Sequence, residues 1–190
     1  KELQGLSLKN VEISIYNGKK QLFREFGEML FTHFGVSGPL ILTASSFVGT
    51  YAARQELRLV LDLKPALTAE QLDQRILRDF DASPNKSFKN VVSGLFPAKL
   101  TPVMVELSGI HPDKKVHDIS REERQGFVRL IKNLEMTVTG LRDYREAIIT
   151  KGGVSVKEIN PSTMESKKVK GLSCWLTMMP SAFRALKQLP

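Results

Sequence analysis

The chain has 190 residues, 42% of them hydrophobic and 25% charged, with a formal net charge of +8 at pH 7. That apolar share supplies a core and excludes whole-chain disorder, while a single cysteine, Cys174, excludes a disulfide scaffold. No stretch approaches the roughly 18 apolar residues of a membrane span, and the opening KELQGLSLKNVEIS has no signal-peptide core, so a cytoplasmic protein without a membrane partner is expected.

Leu6, Leu8, Val11, Ile13 and Ile15 alternate with polar residues, slipping phase once at Lys9-Asn10, which predicts a half-buried strand with a bulge or bend. Asn17-Gly18 follows as a hairpin signal, with a return strand over 20–26 and, after Gly27, a third short strand over 28–33. Pro39 opens a helix to about Phe47, with Ser37 as its expected N-cap. Gln55 to Leu63 alternates again, placing Leu57, Leu59, Leu61 and Leu63 on one face.

Residues 66–133 have a helical texture. Thr68 and Gln71 form a capping box ahead of a stripe of Leu72, Ile76 and Phe80, and Ser120 and Glu123 form a second ahead of Phe127, Leu130, Ile131 and Leu134. Between them, helices are expected over 88–95 and 102–108, the latter closed by Gly109. Strand texture resumes at Glu135 and is expected at 147–150, 152–156 and 163–166. The class is therefore α+β: an antiparallel, barrel-like β domain (1–65 and 134–172) interrupted by a small helical-bundle insert (66–133), with 173–190 as a tail.

The positive charge is dispersed. Arg24/Glu25, Arg75/Asp73 and the run Arg121-Glu122-Glu123-Arg124 pair cations with acids, so a nucleic-acid partner is not expected. His33, His111 and His117 lack metal-ligand spacing, which predicts no metal site, and no nucleophile elbow, Walker loop or dinucleotide fingerprint is present. Two stretches stand out. Phe31-Thr32-His33-Phe34-Gly35-Val36-Ser37-Gly38-Pro39 is either an anion-receiving helix start or a tight turn that needs glycine. Thr150-Lys151-Gly152-Gly153-Val154-Ser155 is either a close backbone approach to a flat ligand or a glycine-turn hairpin.

GLSLKNVEISI (5–15), GEMLFTHFGVSGPLIL (27–42) and TVTGLRDYREAIITKGGVSVKEINPSTMESKKVKGL (137–172), with GLFPAKL (94–100) and DKKVHDIS (113–120), resemble the HI0933-like or BaiN-like bacterial flavoproteins, NAD(P)/FAD-dependent oxidoreductases also labelled the aminoacetone oxidase family. The resemblance implies a parent in which a separate FAD-binding domain is the partner of this part and a small molecule is the substrate. It also implies that Gly35, Ser37, Gly38, Thr150, Gly152, Gly153 and Val154 face the flavin and His33 faces the substrate, with no catalytic base named. Since no dinucleotide fingerprint is present, the chain alone is expected neither to retain FAD nor to turn over. A start at Lys1 fits a piece of a longer polypeptide, and Ser173-Cys174-Trp175 onward departs from the glycine-rich continuation of the family, as a frameshifted, truncated, engineered or divergent end would. The alternative is a non-catalytic interaction module that uses the helical insert.

Overall fold

The opening alternation becomes β1 (Ser7–Asn17) in a computed structural model that describes residues 2–147 and 154–173. The predicted phase slip is a register shift between Leu8 and Val11, where Asn10 adopts φ 57°. Asparagine tolerates that left-handed geometry better than most side chains. A turn at Gly18-Lys19 leads into β2 (Lys20–Thr32), which pairs antiparallel with β1. The expected break at Gly27 does not occur, and one long strand replaces two short ones. Gly27 pairs with Val11, and its missing side chain admits Leu40, whose Cβ would lie 3.5 Å from an added methyl.

β3 (Gly35–Ser37) returns along the end of β2 and hands over to α1 (Pro39–Ala52). Ser37 is not the N-cap; it pairs with Leu30 in β3, and Gly38 caps the helix with no side-chain bond. The helix outruns its expected end at Phe47 because Val48 and Ala52 extend the buried stripe begun by Leu40 and Ala44. β4 (Leu57–Asp62) pairs with β1, and β5 (Leu134–Val138) pairs with β4. The resulting antiparallel sheet has the order β3-β2-β1-β4-β5 and curls into a half-barrel, in keeping with the α+β class. Val11, Ile13 and Ile15 share its buried face with Leu57, Leu59 and Leu61, none more than 3% exposed.

Between β4 and β5 lie α2 (Ala69–Asp81), α3 (Phe88–Val92), α4 (Leu100–Leu107) and α5 (Arg121–Lys132). Both predicted capping boxes form, with Gln71 N donating to Thr68 Oγ1 and Glu123 N to Ser120 Oγ, each at 3.2 Å. α3 stops three residues short of Leu95, where Leu95 N closes a turn onto Val92 O ahead of Pro97. α4 starts two residues earlier than expected. Leu100 N and Thr101 N both donate to Pro97 O, and Pro102 sits in the first turn, where a missing N–H costs nothing. Phe127 forms the centre of this region, meeting Phe88 at 5.2 Å and Phe96 at 6.1 Å, both edge to face. These side chains and the sheet face belong to one contiguous core.

Contacts group the chain into two compact units, Lys1–Ile149 and Thr150–Pro190. In the second, the described part of the strands expected over 152–156 and 163–166 is not strand. Val156–Glu158 is a single 3-10 turn, and Asn160 O accepts from Met164 N around the turn at Pro161. Val154 and Val156 are 61% and 75% exposed, so the alternation meets no core face there. Isolated bridges join Ile159 to Ser166 and Glu165 to Ser173. The strand expected at 147–150 falls almost wholly outside the described residues, as does the tail from residue 174.

The helical segment leaves and rejoins the sheet at one stapled point. Lys132 Nζ donates to Lys64 O at 3.1 Å and Leu67 O at 2.8 Å and pairs with Asp62. Leu63 N donates to Ile131 O at 3.0 Å beside it. The Lys132 and Asp62 side chains are only 18% and 16% exposed, so removing the cation takes the counter-charge from a largely buried carboxylate, which keeps only the Lys64 N–H, and takes a donor from Leu67 O. Lys132→Met is expected to lower the unfolding free energy by about 2 kcal/mol, read as a lower urea midpoint at unchanged slope. A loss within about 0.5 kcal/mol would remove the staple from the argument.

Candidate functional site

The first conspicuous stretch folds as a hairpin tip followed by a helix start. Thr32 pairs with Gly35, leaving His33 and Phe34 as the two exposed turn residues. Thr32 Oγ1 donates to Gly35 O at 3.2 Å, closing the turn. His33 meets Phe34 edge to face at 5.0 Å, and the Arg142 guanidinium lies over the Phe34 ring, 4.4 Å from its centroid. Arg142 is also paired with Glu146, and Leu141 Cδ1 rests 3.4 Å from where a methyl on Gly49 would be. Segment 141–146 is thereby held against the hairpin tip and α1. Arg142 lies inside the motif that carried the resemblance, but a lone arginine has no spacing signal, and only the fold pairs it with Phe34.

Gly35 and Gly38 need glycine for different reasons. Gly35 has φ 144° with nothing within 4 Å of an added Cβ, so its demand is conformational and open space lies beside it. Gly38 has φ 100°, and a Cβ there would sit 3.2 Å from Leu30 N and from Met29 Cα. Its close approach is to β2, which favours the tight-turn reading of this glycine. Ser37 is half-buried in β3 next to it. His33, Gly35, Ser37 and Gly38 are thus brought to one corner of the sheet. Of the second stretch, Thr150, Gly152 and Gly153 lie outside the described residues, and Val154 is an exposed residue of the second unit.

His111 and His117 are occupied by local structure. His111 Nδ1 accepts from Asp113 N at 3.3 Å, and the His117 ring lies 2.7 Å from Pro84 O. Among the described residues, no group of three or more His, Cys, Asp or Glu could hold a metal ion, and no helix is long and apolar enough to cross a membrane. A cavity of about 770 Å³ opens between α3 and α4, and a smaller polar one of about 420 Å³ lies at Asn17, Tyr51 and Arg54. Neither is lined by His33, Gly35, Ser37, Gly38 or Val154.

Residues 1–149 match the family described as HI0933-like protein barrel and H2TH domain. The chain belongs to the HI0933-like family. Over 170 residues it is 33% identical to a Haemophilus influenzae protein named ribosomal RNA dihydrouridine synthase, covering 90% of this chain and 39% of that protein. An Escherichia coli protein of the same name is 32% identical over 174 residues, with the same two coverages. A Clostridium scindens protein named 3-dehydro-bile acid delta(4,6)-reductase is 26% identical over 165 residues, 86% of this chain and 40% of that protein. The chain thus spans about two fifths of the length of these relatives.

Two substitutions separate the glycine demands. Gly38→Ala is expected to cost about 2 kcal/mol, from strain plus the clash with β2, and Gly35→Ala about 1 kcal/mol, from strain alone. Denaturant midpoints check this order, and equal losses would remove the close-approach argument. For the clamp, a double-mutant cycle over Phe34→Ala and Arg142→Ala should return a coupling of about 0.5–1 kcal/mol. Zero coupling would leave Arg142 a solvated cation.

Proposed function

We propose that this chain is the sheet-and-helix part of a FAD-dependent reductase whose full-length form reduces a uridine base in ribosomal RNA. One observation carries the substrate: two relatives, at 33% and 32% identity over 90% of this chain, bear that activity in their names. The dispersed charge in the sequence speaks against a nucleic-acid partner, and the family resemblance implies a small-molecule substrate. Relatives of this similarity are the stronger guide, because phosphate-contacting lysines scattered in sequence can gather in space. The Clostridium scindens relative favours the second reading, a reductase of a small unsaturated ketone. Both names describe the same chemistry: hydride and proton addition across a C=C bond conjugated to a carbonyl.

In this reading the flavin, when bound, supplies the redox step, and the protein orients the acceptor and excludes water. The described residues around His33, Gly35, Ser37 and Gly38 do not fit a complete flavin pocket. The corner is open, and no cavity described above is lined by it. We therefore read it as one wall of a site that the FAD-binding domain of the parent completes, and assign no proton transfer to His33. The chain by itself holds no FAD under this proposal. The division into a β-rich part (1–65 and 134–172), a helical insert (66–133) and a tail (173–190) belongs to the same reading, as does a cytoplasmic location.

Nucleoside mass spectrometry of ribosomal RNA from the source organism, with and without the gene, tests the substrate. Dihydrouridine should vanish from the ribosomal RNA on deletion and return with the full-length gene. Unchanged dihydrouridine, together with reduction of an unsaturated ketone by the purified parent, would overturn the RNA reading in favour of the second.

A further inference from the structure

Of the described α-helices, only α1 carries no charged side chain. Its run PLILTASSFVGTYA holds neither acid nor base, whereas six of the 13 residues of α2 and six of the 12 of α5 are charged. One face of α1 is accounted for, because Leu40, Ala44, Val48 and Ala52 are buried in the core. The outward face is not: Thr43, Phe47 and Thr50 are exposed, Phe47 to 48%. A helix that meets water carries charge on its outer face, and one without charge belongs under a cover.

The hydroxyls of this helix are already satisfied without water. Thr43 Oγ1 donates to Pro39 O at 3.0 Å, and Ser45 Oγ to Leu42 O and Ser46 Oγ to Thr43 O, both at 2.7 Å. A hydroxyl turned back onto a carbonyl of its own helix leaves no unpaired donor when a second surface closes over it. Burial at these positions therefore strands no polar group.

α1 follows Gly38 directly, so it leads out of the corner that gathers His33, Gly35 and Ser37. Whatever completes that corner lies beside the first turns of the helix. The chain covers only 39–40% of the length of the relatives it matches, so most of such a protein has no counterpart here.

We propose that the outward face of α1, centred on Thr43 and Phe47, is the surface on which the FAD-binding domain of the parent sits. This rests on the reading that such a domain completes the corner, and adds the face that it covers.

The test is maleimide labelling of Thr43→Cys in the 190-residue chain and in the full-length parent, read peptide by peptide so that Cys174 is counted separately. Thr43→Cys should react freely in the chain and at least about tenfold more slowly in the parent. Gln74→Cys, on the exposed side of α2, should react alike in both. Thr43→Glu/Ser46→Lys keeps the net charge and should leave the thermal midpoint of the chain within about 2 °C. The same pair should cut the flavin that the parent retains through purification by at least about threefold, because it buries charge at the interface. Equal labelling of Thr43→Cys in the two proteins, equal slowing at Gln74→Cys, or an unchanged flavin yield would each overturn the proposal. Slow labelling already in the chain, quickening on dilution, would give the face to a second copy and overturn it as well. The flavin absorbance of the unmodified parent separates the two readings. Flavin present with Thr43→Cys freely labelled leaves the FAD reading and removes the face. A protected face in a parent without flavin removes the FAD reading and leaves an interface between domains.

Discussion

β4 and β5 lie side by side in the sheet although residues 63–133 separate them, and the rest of the structure depends on that pairing. Leu57 opposite Val138 and Leu61 opposite Leu134 require the chain to leave the sheet and return to the same point. Lys132 makes this possible by joining the outgoing Asp62, Lys64 and Leu67 to the end of α5. Closing a loop of this length carries an entropy cost that grows only slowly with length, so a structured insertion is tolerated once its ends are pinned. The insertion then fills its own centre around Phe127, and because Ile131 and Leu134 follow directly, that centre runs into the sheet's core. A substitution at the staple therefore acts on both parts.

The same architecture separates two kinds of surface. At one corner, the β2–β3 turn presents His33 and Phe34 above a helix start whose glycine is pressed against β2, and Arg142 locks a later segment onto that turn. Among the helices, Phe88 N donates to Lys114 O and Val116 N to Lys86 O, so a short antiparallel ribbon brings together lysines from two stretches, and Lys89 alone of them lines an apolar groove. The first is small and open, with His33 and Phe34 exposed at its tip. The second is broad and mostly apolar, with Lys89 at its edge paired to Asp113.

Much of the fold was legible because local signals and burial agreed. The alternation of Val11, Ile13 and Ile15, the Asn10 slip and the two capping boxes each specify backbone geometry through neighbours a few residues away. The errors came where a local signal competed with packing. Gly27 reads as a strand end, yet its missing side chain makes room for Leu40. Ser37 reads as an N-cap, yet pairing with Leu30 takes it into β3 and leaves Gly38 at the cap. Val154 and Val156 read as strand, but alternation makes a strand only where a partner edge and a core face exist. The candidate site was legible to the extent that motifs mark a family; the Arg142–Phe34 clamp was not, because its two members lie far apart in sequence.

By itself, the sequence determined the class, the starts of α1, α2, α3 and α5, and the family, since these follow from periodicity, capping chemistry and contiguous motifs. Only the tertiary structure decided which glycine is pressed against which strand, which arginine holds the turn, and where the charge collects. Net charge and dispersion along the chain, the features noted first, say little about a surface. Lys86 and Lys115 are twenty-nine positions apart, yet Lys115 bridges Ser87, the residue next to Lys86, because hydrogen bonding across the ribbon, and not chain order, sets the distance between like charges.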